Sequence, residues 1–332
     1  MVGRVGPESG SIRWELDNVK FPGNRRFALS ILDDTDDTTV ETGQPVYDLL
    51  GDLGFRTTKT VWAFDSPEEE KGPYHMGQTM EDPAYRKWVV SLAEEGFEVA
   101  FHNASMASSS RERTEAAIDF LTDDCGFDLR LHCNHGQNRE NLFWGPERYH
   151  SRALRLAYGL ASSTDSEGSE TGSPYYWADI AAERFSYIRD FAFRRLDCSK
   201  IGPGRPYRDS TKQPSPCWFN TADAPALPSF LRLVTREAVD RLEDAGGWTI
   251  ISTHFGKGFA WEGKLNEHFA SLMRWIAEKN GWFVPASELL DYIGTTRGAT
   301  EISRMERTRL EVAHVFDRIR RRREVARYGL WD

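Results

Sequence analysis

The chain contains no apolar segment long enough to cross a membrane as a helix. No stretch approaches the roughly 18 consecutive apolar residues that such a helix needs. The first residues also lack the apolar core of a secretory signal. The four cysteines, Cys125, Cys133, Cys198 and Cys217, show no C-x-x-C spacing, which argues against a thiolate zinc site. These absences together predict a cytoplasmic protein.

The chain also has little positive charge outside its C-terminal end. Its 42 lysines and arginines are outnumbered by 51 acidic residues, and the net charge is −9 at pH 7. Because such a surface repels nucleic acid, we expect no nucleic-acid partner. Residues 297–327 are the exception, since ten arginines there face five acidic residues.

Strand and helix patterns alternate regularly in the first half. Strand patterns occur at residues 27–32, 58–64, 97–101 and 129–133. Helical patterns separate them at 40–53, at 83–95 and from the serines at 108–110 to about residue 121. Thr38 or Thr39 is expected to cap the first helix and Gly54 to close it. Strands separated by helices of this length predict βαβ units and a parallel sheet.

The middle of the chain is irregular. Residues 162–174 are rich in serine and glycine and residues 202–218 in proline and glycine, as is typical of loops. Regular patterns return as a helix at 229–245, a strand at 248–252, a helix at 265–279 and a short apolar run at 282–284. Because the sheet pattern resumes after the loops, we expect one α/β domain with insertions rather than two domains.

An acidic cluster follows the first predicted strand. It consists of Asp33, Asp34, Asp36 and Asp37. Carboxylates this close repel one another unless they are solvated, hydrogen-bonded or neutralised by a cation. Three further polar groups follow later strands, namely His102 with Asn103, the segment 132–141, and His254. Active sites of parallel α/β folds gather at the carboxyl ends of strands, so these four groups predict one shared site.

Each of these groups also has a structural interpretation. An aspartate pair before a helix is often a capping device, and a single histidine at a strand end is more often structural than catalytic. The asparagines of segment 132–141 can serve only to build turns. Four such groups at one end of a sheet favour a site. One carboxylate and two imidazoles suffice for Zn²⁺ or a similar ion, which indicates metal-assisted hydrolysis.

Three motifs resemble, in order, those of the polysaccharide deacetylase family (carbohydrate esterase family 4, the NodB homology domain). They are ILDDT at 31–35, FHNASMAS at 101–108 and IISTHFG at 250–256. The resemblance spans about residues 25–290. It implies an α/β fold, a distorted (β/α) barrel of the NodB-like type that is commonly seven-stranded and removes acetyl groups from N-acetylated sugars with a divalent metal. The predicted organisation is an N-terminal extension over 1–24, the barrel with its irregular middle insertion over 25–295, and a basic amphipathic C-terminal helix over 296–332.

The resemblance also implies roles for four residues. Asp33 matches the family's catalytic base and Asp34 its metal-binding aspartate. His102 matches the first metal histidine, and His254 matches the histidine that acts as general acid.

The chain departs from the family at the second metal histidine. The family places it four residues after the first, where this chain has Met106, a poor ligand for such a cation. We expect His135, or else His132, to supply the missing imidazole to a zinc ion. The alternative is that no metal binds as it does in the family.

Further polar residues at the strand ends are candidates for contact with a sugar or glycan, because amide and guanidinium groups recognise hydroxyls, carboxylates and phosphates through directed hydrogen bonds. They are Asn103, Asn134, Asn138, Arg139, Glu140, Asn141 and Lys257. Trp144, Trp218 and Trp261 are candidate stacking faces for sugar rings. The resemblance includes family members of surface-polysaccharide synthesis that lack a secretion signal, and this chain fits that group. It therefore implies a nucleotide-linked or lipid-linked sugar intermediate as the substrate.

The C-terminal segment is helical from residue 301 onward. Its apolar residues lie at heptad-like intervals, at Ile302, Met305, Val312, Phe316 and Ile319. We expect this helix to pack back on the barrel with its basic face in solvent. The alternative is a peripheral contact with an anionic membrane or a partner enzyme.

The sequence therefore favours a metal-dependent deacetylase, and two alternatives stay open. One is an enzyme of the same fold that acts on another bond, through amide transfer on a uronic acid or glycosidic cleavage. The other is a non-catalytic carbohydrate-binding protein that has lost its metal. The joint presence of Asp33, Asp34, His102 and His254 favours an active site, because a protein without catalytic duty has no need for a costly acidic pair.

Overall fold

The computed structural model describes residues 21–70, 76–159 and 166–328, and side chains as far as residue 321. The strands in these residues are β1 (Phe27–Asp33), β2 (Thr58–Val61), β3 (Glu98–Phe101), β4 (Leu131–His132), β5 (Tyr187–Phe193), β6 (Tyr207–Arg208), β7 (Cys217–Asp223), β8 (Trp248–Thr253), β9 (Ala260–Trp261), β10 (Lys264–Leu265), β11 (Gly281–Phe283) and β12 (Thr300–Glu301). The helices are α1 (Val40–Asp52), α2 (Pro83–Glu94), α3 (Arg111–Asp119), α4 (Arg152–Gly159), α5 (Ala178–Arg184), α6 (Leu227–Leu233), α7 (Arg236–Asp244), α8 (Glu267–Ala277), α9 (Ala286–Arg297) and α10 (Arg304–Tyr328).

Seven parallel strands close into a barrel. Each pairs with the next in the order β1, β2, β3, β4, β5, β7 and β8, and β8 pairs back with β1. Strand β11 lies beside the first residues of β1, at Phe27 to Leu29, before β2 joins at Leu32 and Asp33. The predicted (β/α) barrel of seven strands is therefore confirmed.

The first half of the barrel follows from local sequence patterns. All seven residues of β1 are buried, as expected for a strand covered on both faces. Thr39 caps α1 in a reciprocal capping box with Thr42. Gly54 and Gly96 adopt positive φ angles of 79° and 93° just after α1 and α2, where the chain must leave the helix. The predicted capping of α1 by one of two threonines thus resolves to Thr39.

The middle of the chain is more regular than predicted, because it supplies two barrel strands. Strand β5 carries Arg189 and Asp190 in succession, which breaks the apolar run that would have indicated a strand. The two side chains point to opposite sides, Arg189 to Asp34 and Asp190 to Lys212. Strand β7 begins inside the stretch at 202–218 that was predicted as a loop. The sequence patterns therefore missed β5, and the loop predicted over 202–218 ends earlier than expected, where β7 begins.

One predicted helix is divided in the structure. The pattern at 229–245 predicts a continuous helix, but α6 ends at Leu233 and α7 begins at Arg236. The hydroxyl oxygen of Thr235 accepts a hydrogen bond from the backbone N–H of Ala238 and so starts the second helix.

Helix α10 packs on the barrel through a face other than its apolar stripe. Its buried residues are Arg307, Leu310, Glu311 and His314. Of the predicted stripe, Ile302 is buried just before the helix. The stripe residues on the helix itself are exposed, Met305 to 63%, Val312 to 38%, Phe316 to 60% and Ile319 to 41%. The helix does pack back on the barrel as predicted, but these four apolar side chains stay in solvent.

The first described residues and the segment before α10 are both anchored to the barrel. Residues 1–20 of the predicted extension lie outside the described residues, and Phe21 is buried against the rings of Trp282 and Tyr292. Near the other end, β12 pairs with β6 and so joins the C-terminal segment to the sheet. No helix in the described part of the chain has the length and apolar content to cross a membrane.

Candidate metal centre and active site

The polar groups at four strand ends meet at one edge of the barrel. Asp36 lies in the turn after β1, and His102 directly follows β3. His135 lies in the loop after β4, and His254 directly follows β8. Parallel strands present their carboxyl ends on the same side, so residues far apart in sequence become neighbours.

Asp36, His102 and His135 form a compact group of potential metal ligands. Their ligand atoms all lie within 4.8 Å of one another. Asp36 Oδ1 is 3.3 Å from His102 Nε2, and Asp36 Oδ2 is 3.6 Å from His135 Nε2. The indole ring of Trp62 packs edge-on against the His135 ring at a centroid distance of 5.4 Å. This group contains His135 and not His132.

Hydrogen bonds behind the rings orient two imidazoles toward the cluster. The amide nitrogen of Asn138 donates to the carbonyls of Ser105 and Ala107, so its oxygen is left to accept from His135 Nδ1 at 2.9 Å. His254 Nδ1 donates in the same way to the carbonyl of Pro225 at 2.6 Å. Each ring therefore carries a proton on Nδ1 and directs Nε2 at Asp36. This is the tautomer that a metal ligand binding through Nε2 requires.

The third imidazole has a buried nitrogen without a partner. His102 Nδ1 makes no hydrogen bond within the described residues, although it is buried and 3.8 Å from Asp34 Oδ1. An orphaned polar atom of this kind is costly and indicates an absent partner. One carboxylate and two imidazoles, one of which carries this orphaned nitrogen, fit a divalent cation such as Zn²⁺.

The charges at Asp36 show the same need for a cation. Burial raises the pKa of Asp36, but the imidazoles of His135 and His254 and hydrogen bonds from His102 and His135 lower it well below its ordinary value. Burial conversely lowers the pKa of His135, and the Asp36 carboxylate more than offsets this and raises it. A positive charge beside Asp36, carried either by an imidazole or by a bound cation, would neutralise this buried carboxylate.

Asp34 and His254 form a second pair at the same edge. Both oxygens of Asp34 accept hydrogen bonds from Arg189, at 2.7 and 3.0 Å. Burial raises the pKa of Asp34, but Arg189 and, to a smaller extent, His102 and His254 lower it below its ordinary value. Burial lowers the pKa of His254, whereas Asp36 and Asp34 raise it above its ordinary value. His254 Nε2 lies 4.0 Å from Asp34 Oδ2 and 3.4 Å from Asp36 Oδ2.

Asp33 does not face this cluster. Its carboxylate is fully buried, where it accepts hydrogen bonds from Lys59 Nζ at 3.0 Å and Tyr47 Oη at 3.0 Å. The backbone N–H of Phe255 donates to its other oxygen at 2.7 Å. These contacts tie β1 to β2, α1 and the loop after β8. The structure therefore gives Asp33 a framework position in place of the predicted position of a catalytic base.

Most predicted substrate contacts in the loop after β4 instead support His135. The amide of Asn103 donates to Glu140 Oε1 and Asn141 Oδ1, while its oxygen accepts from the backbone N–H of His135. Glu140 also accepts from Asn138 and from the backbone N–H of Ser109. All of these amide and carboxylate side chains are buried. They hold in place the loop after β4 that carries His135, called the ligand loop below, and are not presented to a substrate.

The remaining candidates divide between the cluster and other places. Lys257 Nζ lies 3.7 Å from Asp36 Oδ2 and is part of the site. Asn134 binds the backbone of Leu142 and His132 Nε2, so both belong to the barrel wall. Arg139 is exposed, paired with Glu167 and stacked on Tyr175.

The tryptophans are also dispersed. Trp144 donates to the carbonyl of Gly136 in the ligand loop, Trp218 is buried in the core, and Trp261 is 75% exposed on β9. The structure does not bring them together as a stacking surface.

Two residues of the site were not identified from the sequence. Asp36 was visible in the acidic cluster, but the resemblance directed attention to its neighbours. Arg189 was hidden in a strand that the apolar pattern did not reveal. A lone arginine inside a short aromatic and apolar run, YIRDFAF, is the signal that would have indicated a buried counter-charge.

Comparison with known proteins gives remote structural matches. Neither a scan against protein-family models nor a search of curated proteins finds a match. Puue allantoinase matches with a TM-score of 0.47 and 12% identity over 84% of this chain and 94% of its own. Peptidoglycan deacetylase PdaC from Bacillus subtilis matches with a TM-score of 0.39 and 13% identity, over 83% and 95% respectively. The catalytic domain of peptidoglycan N-acetylglucosamine deacetylase from Eubacterium rectale matches with a TM-score of 0.34 and 12% identity, over 86% and 92%. Similarity this remote leaves substrate and activity to be inferred from the site itself.

Proposed function

We propose that the chain is a metal-dependent hydrolase that removes the acetyl group from an N-acetylated sugar or glycan. The observation that carries this proposal is the convergence of Asp36, His102 and His135 with the Asp34–Arg189 pair and His254 at one barrel edge. Amide hydrolysis needs a group that activates water, a base and an acid. The three potential metal ligands, the carboxylate of Asp34 and the imidazole of His254 can supply these functions. The motif resemblance to polysaccharide deacetylases supports an acetamide as the bond.

Asp36, His102 and His135 would hold the metal. A divalent ion bound there would lower the pKa of its water and polarise the acetyl carbonyl. This assignment moves the metal-binding aspartate from Asp34, which the resemblance implied, to Asp36. The reason is that Arg189 already neutralises Asp34, whereas Asp36 has imidazoles around both of its oxygens.

Asp34 and His254 would handle the protons. Arg189 keeps Asp34 ionised, so that its carboxylate can accept a proton from the attacking water. His254 has a raised pKa and can donate a proton from Nε2 to the departing sugar amine. The carbonyl of Pro225 holds its other nitrogen and fixes the ring for this transfer. We place the enzyme in the cytoplasm, acting on an intermediate of surface-polysaccharide synthesis.

Metal content measured by elemental analysis tests the ligand assignment. We expect about one zinc or similar ion per wild-type chain and its loss in His102→Ala and His135→Ala. His268→Ala is the matched control, because His268 is an exposed histidine on α8. A wild-type protein that stays free of metal after zinc or cobalt is supplied would overturn the proposal.

Acetate release tests the proton-transfer assignment. With oligomers of N-acetylglucosamine as the probe substrate, Asp34→Asn and His254→Gln should retain metal and lose activity by roughly 10²- to 10⁴-fold. Loss of metal in Asp34→Asn with metal retained in Asp36→Asn would reverse the roles given to the two aspartates.

A further inference from the structure

Helix α10 presents an uncovered apolar stripe on its outward side. Met305, Val312, Phe316 and Ile319 are all exposed. At about 100° per residue, they lie within an arc of about 60° around the helix axis, and along the axis they span about 21 Å. Four large apolar side chains in one line on the surface are unusual for a soluble protein and indicate a contact surface.

The opposite side of the same helix is already occupied. Arg307 donates to Asp209 at 2.9 Å, and His314 shares a hydrogen bond of 2.8 Å with the hydroxyl of Tyr149. The backbone N–H of His150 donates to the carboxylate of Glu311 at 2.7 Å. The helix is therefore fixed on the barrel by specific polar contacts, and its orientation keeps the apolar stripe outward.

The charges of α10 are sorted between the two sides. The acids with described side chains are all engaged with the protein, Glu306 with Ser303 and Arg205, Glu311 with the backbone after Tyr149, and Asp317 with the backbone N–H of Arg194. Arg309 and Arg320 are exposed and lie beside the apolar stripe on the outward side. A chain with net charge −9 thus carries a surface ridge that combines apolar and cationic side chains.

We infer that this ridge binds an anionic phospholipid surface. A bilayer supplies an apolar boundary for the stripe and headgroup phosphates for the flanking arginines. A second copy of this chain suits the ridge less well, because two facing ridges would bring Arg309 and Arg320 of both copies close together. The inference is independent of the proposed activity, since the metal cluster consists of Asp36, His102 and His135, which lie outside α10.

Co-sedimentation with sucrose-loaded vesicles tests the inference. Wild-type protein should bind vesicles of phosphatidylcholine mixed with phosphatidylglycerol, bind vesicles of phosphatidylcholine alone much less, and dissociate as salt is raised. The double variant Phe316→Ser with Ile319→Ser should weaken binding at least about tenfold. The double variant Arg309→Gln with Arg320→Gln should weaken it roughly 25-fold, at about fivefold per charge.

Matched variants outside α10 control for non-specific hydrophobic binding and for the loss of positive charge as such. Trp261→Ser removes an exposed aromatic residue on β9, and Lys87→Gln with Lys264→Gln removes two exposed positive charges outside α10. Both should bind like wild type. Absence of wild-type binding to anionic vesicles, or equal binding to both vesicle types, would overturn the inference. So would light scattering that shows a dimer without lipid and a monomer for the Phe316 and Ile319 double variant, because a second copy would then cover the stripe.

Discussion

The buried ion pair between Lys59 and Asp33 offers a quantitative test of the framework role given to Asp33. The two charges lie 3.0 Å apart, and both side chains are fully buried. Burial lowers the pKa of Lys59, but the Asp33 carboxylate more than offsets this and raises it above its ordinary value. At this distance and an effective dielectric of about 20, the Coulomb attraction is roughly 5 kcal/mol, most of which offsets desolvation.

Removing one partner should therefore be far more harmful than removing both. Lys59→Met leaves the Asp33 carboxylate buried with the Tyr47 hydroxyl and the Phe255 N–H as its remaining donors. We expect the free energy of unfolding to fall by about 3–5 kcal/mol in this variant and similarly in Asp33→Asn. The double variant should recover part of the loss, with a coupling energy of about 2 kcal/mol or more.

Urea unfolding at neutral pH measures all four proteins of this cycle. Losses that simply add, within about 0.5 kcal/mol, would refute the reasoning about the pair. Acetate release per folded molecule gives an independent readout of the Asp33→Asn variant. If Asp33 were the catalytic base, Asp33→Asn would stay stable and lose turnover, whereas we expect it to lose stability and keep its bound metal.

Three further predictions follow from other parts of the structure. Glu140→Gln should weaken zinc binding tenfold or more in calorimetric titration, because Glu140 accepts a hydrogen bond from the amide of Asn138, which orients His135. An unchanged affinity would contradict this. Burial and neighbouring cations lower the pKa of His314, so its contribution to stability is present above the unfolded pKa of about 6.5 and is lost below it, by up to about 1.4 kcal/mol per pH unit. Between about pH 7.5 and 5.5, the free energy of unfolding of the wild type should therefore fall more steeply with decreasing pH than that of His314→Gln. Gly256→Ala would place a Cβ 2.3 Å from the backbone of Asp37 and should displace the acidic turn and reduce metal content, unlike Gly51→Ala, whose Cβ would have no neighbour closer than 3.7 Å.

The location of the site could be inferred from sequence, but the direction of each carboxylate could not. Asp33 and Asp34 are adjacent at the end of β1, where neighbouring side chains point to opposite faces. A short motif shows that two aspartates are present and not which one faces the pocket. The answer depends on Lys59 and Arg189, which lie on β2 and β5 and approach from opposite sides.

Strand β5 shows why the barrel was only partly visible in the sequence. Its apolar pattern is interrupted by Arg189 and Asp190, both buried because each has a partner from another strand or loop. Pattern rules treat a charge as a sign of exposure. That assumption fails where charges neutralise one another across the sheet, which is common around active sites.

Helix α10 illustrates the same limit from the opposite direction. The spacing of its apolar residues correctly indicated a helix with an apolar stripe, and the simplest packing would have buried that stripe. The structure buries Arg307, Glu311 and His314 instead, because each finds a specific polar partner on the body of the protein. Such contacts replace the hydrogen bonds to water that burial removes, so a polar face can dock where its partners are in place. Periodicity therefore reveals that a helix has two faces, and only the partners on the neighbouring surface determine which face is covered.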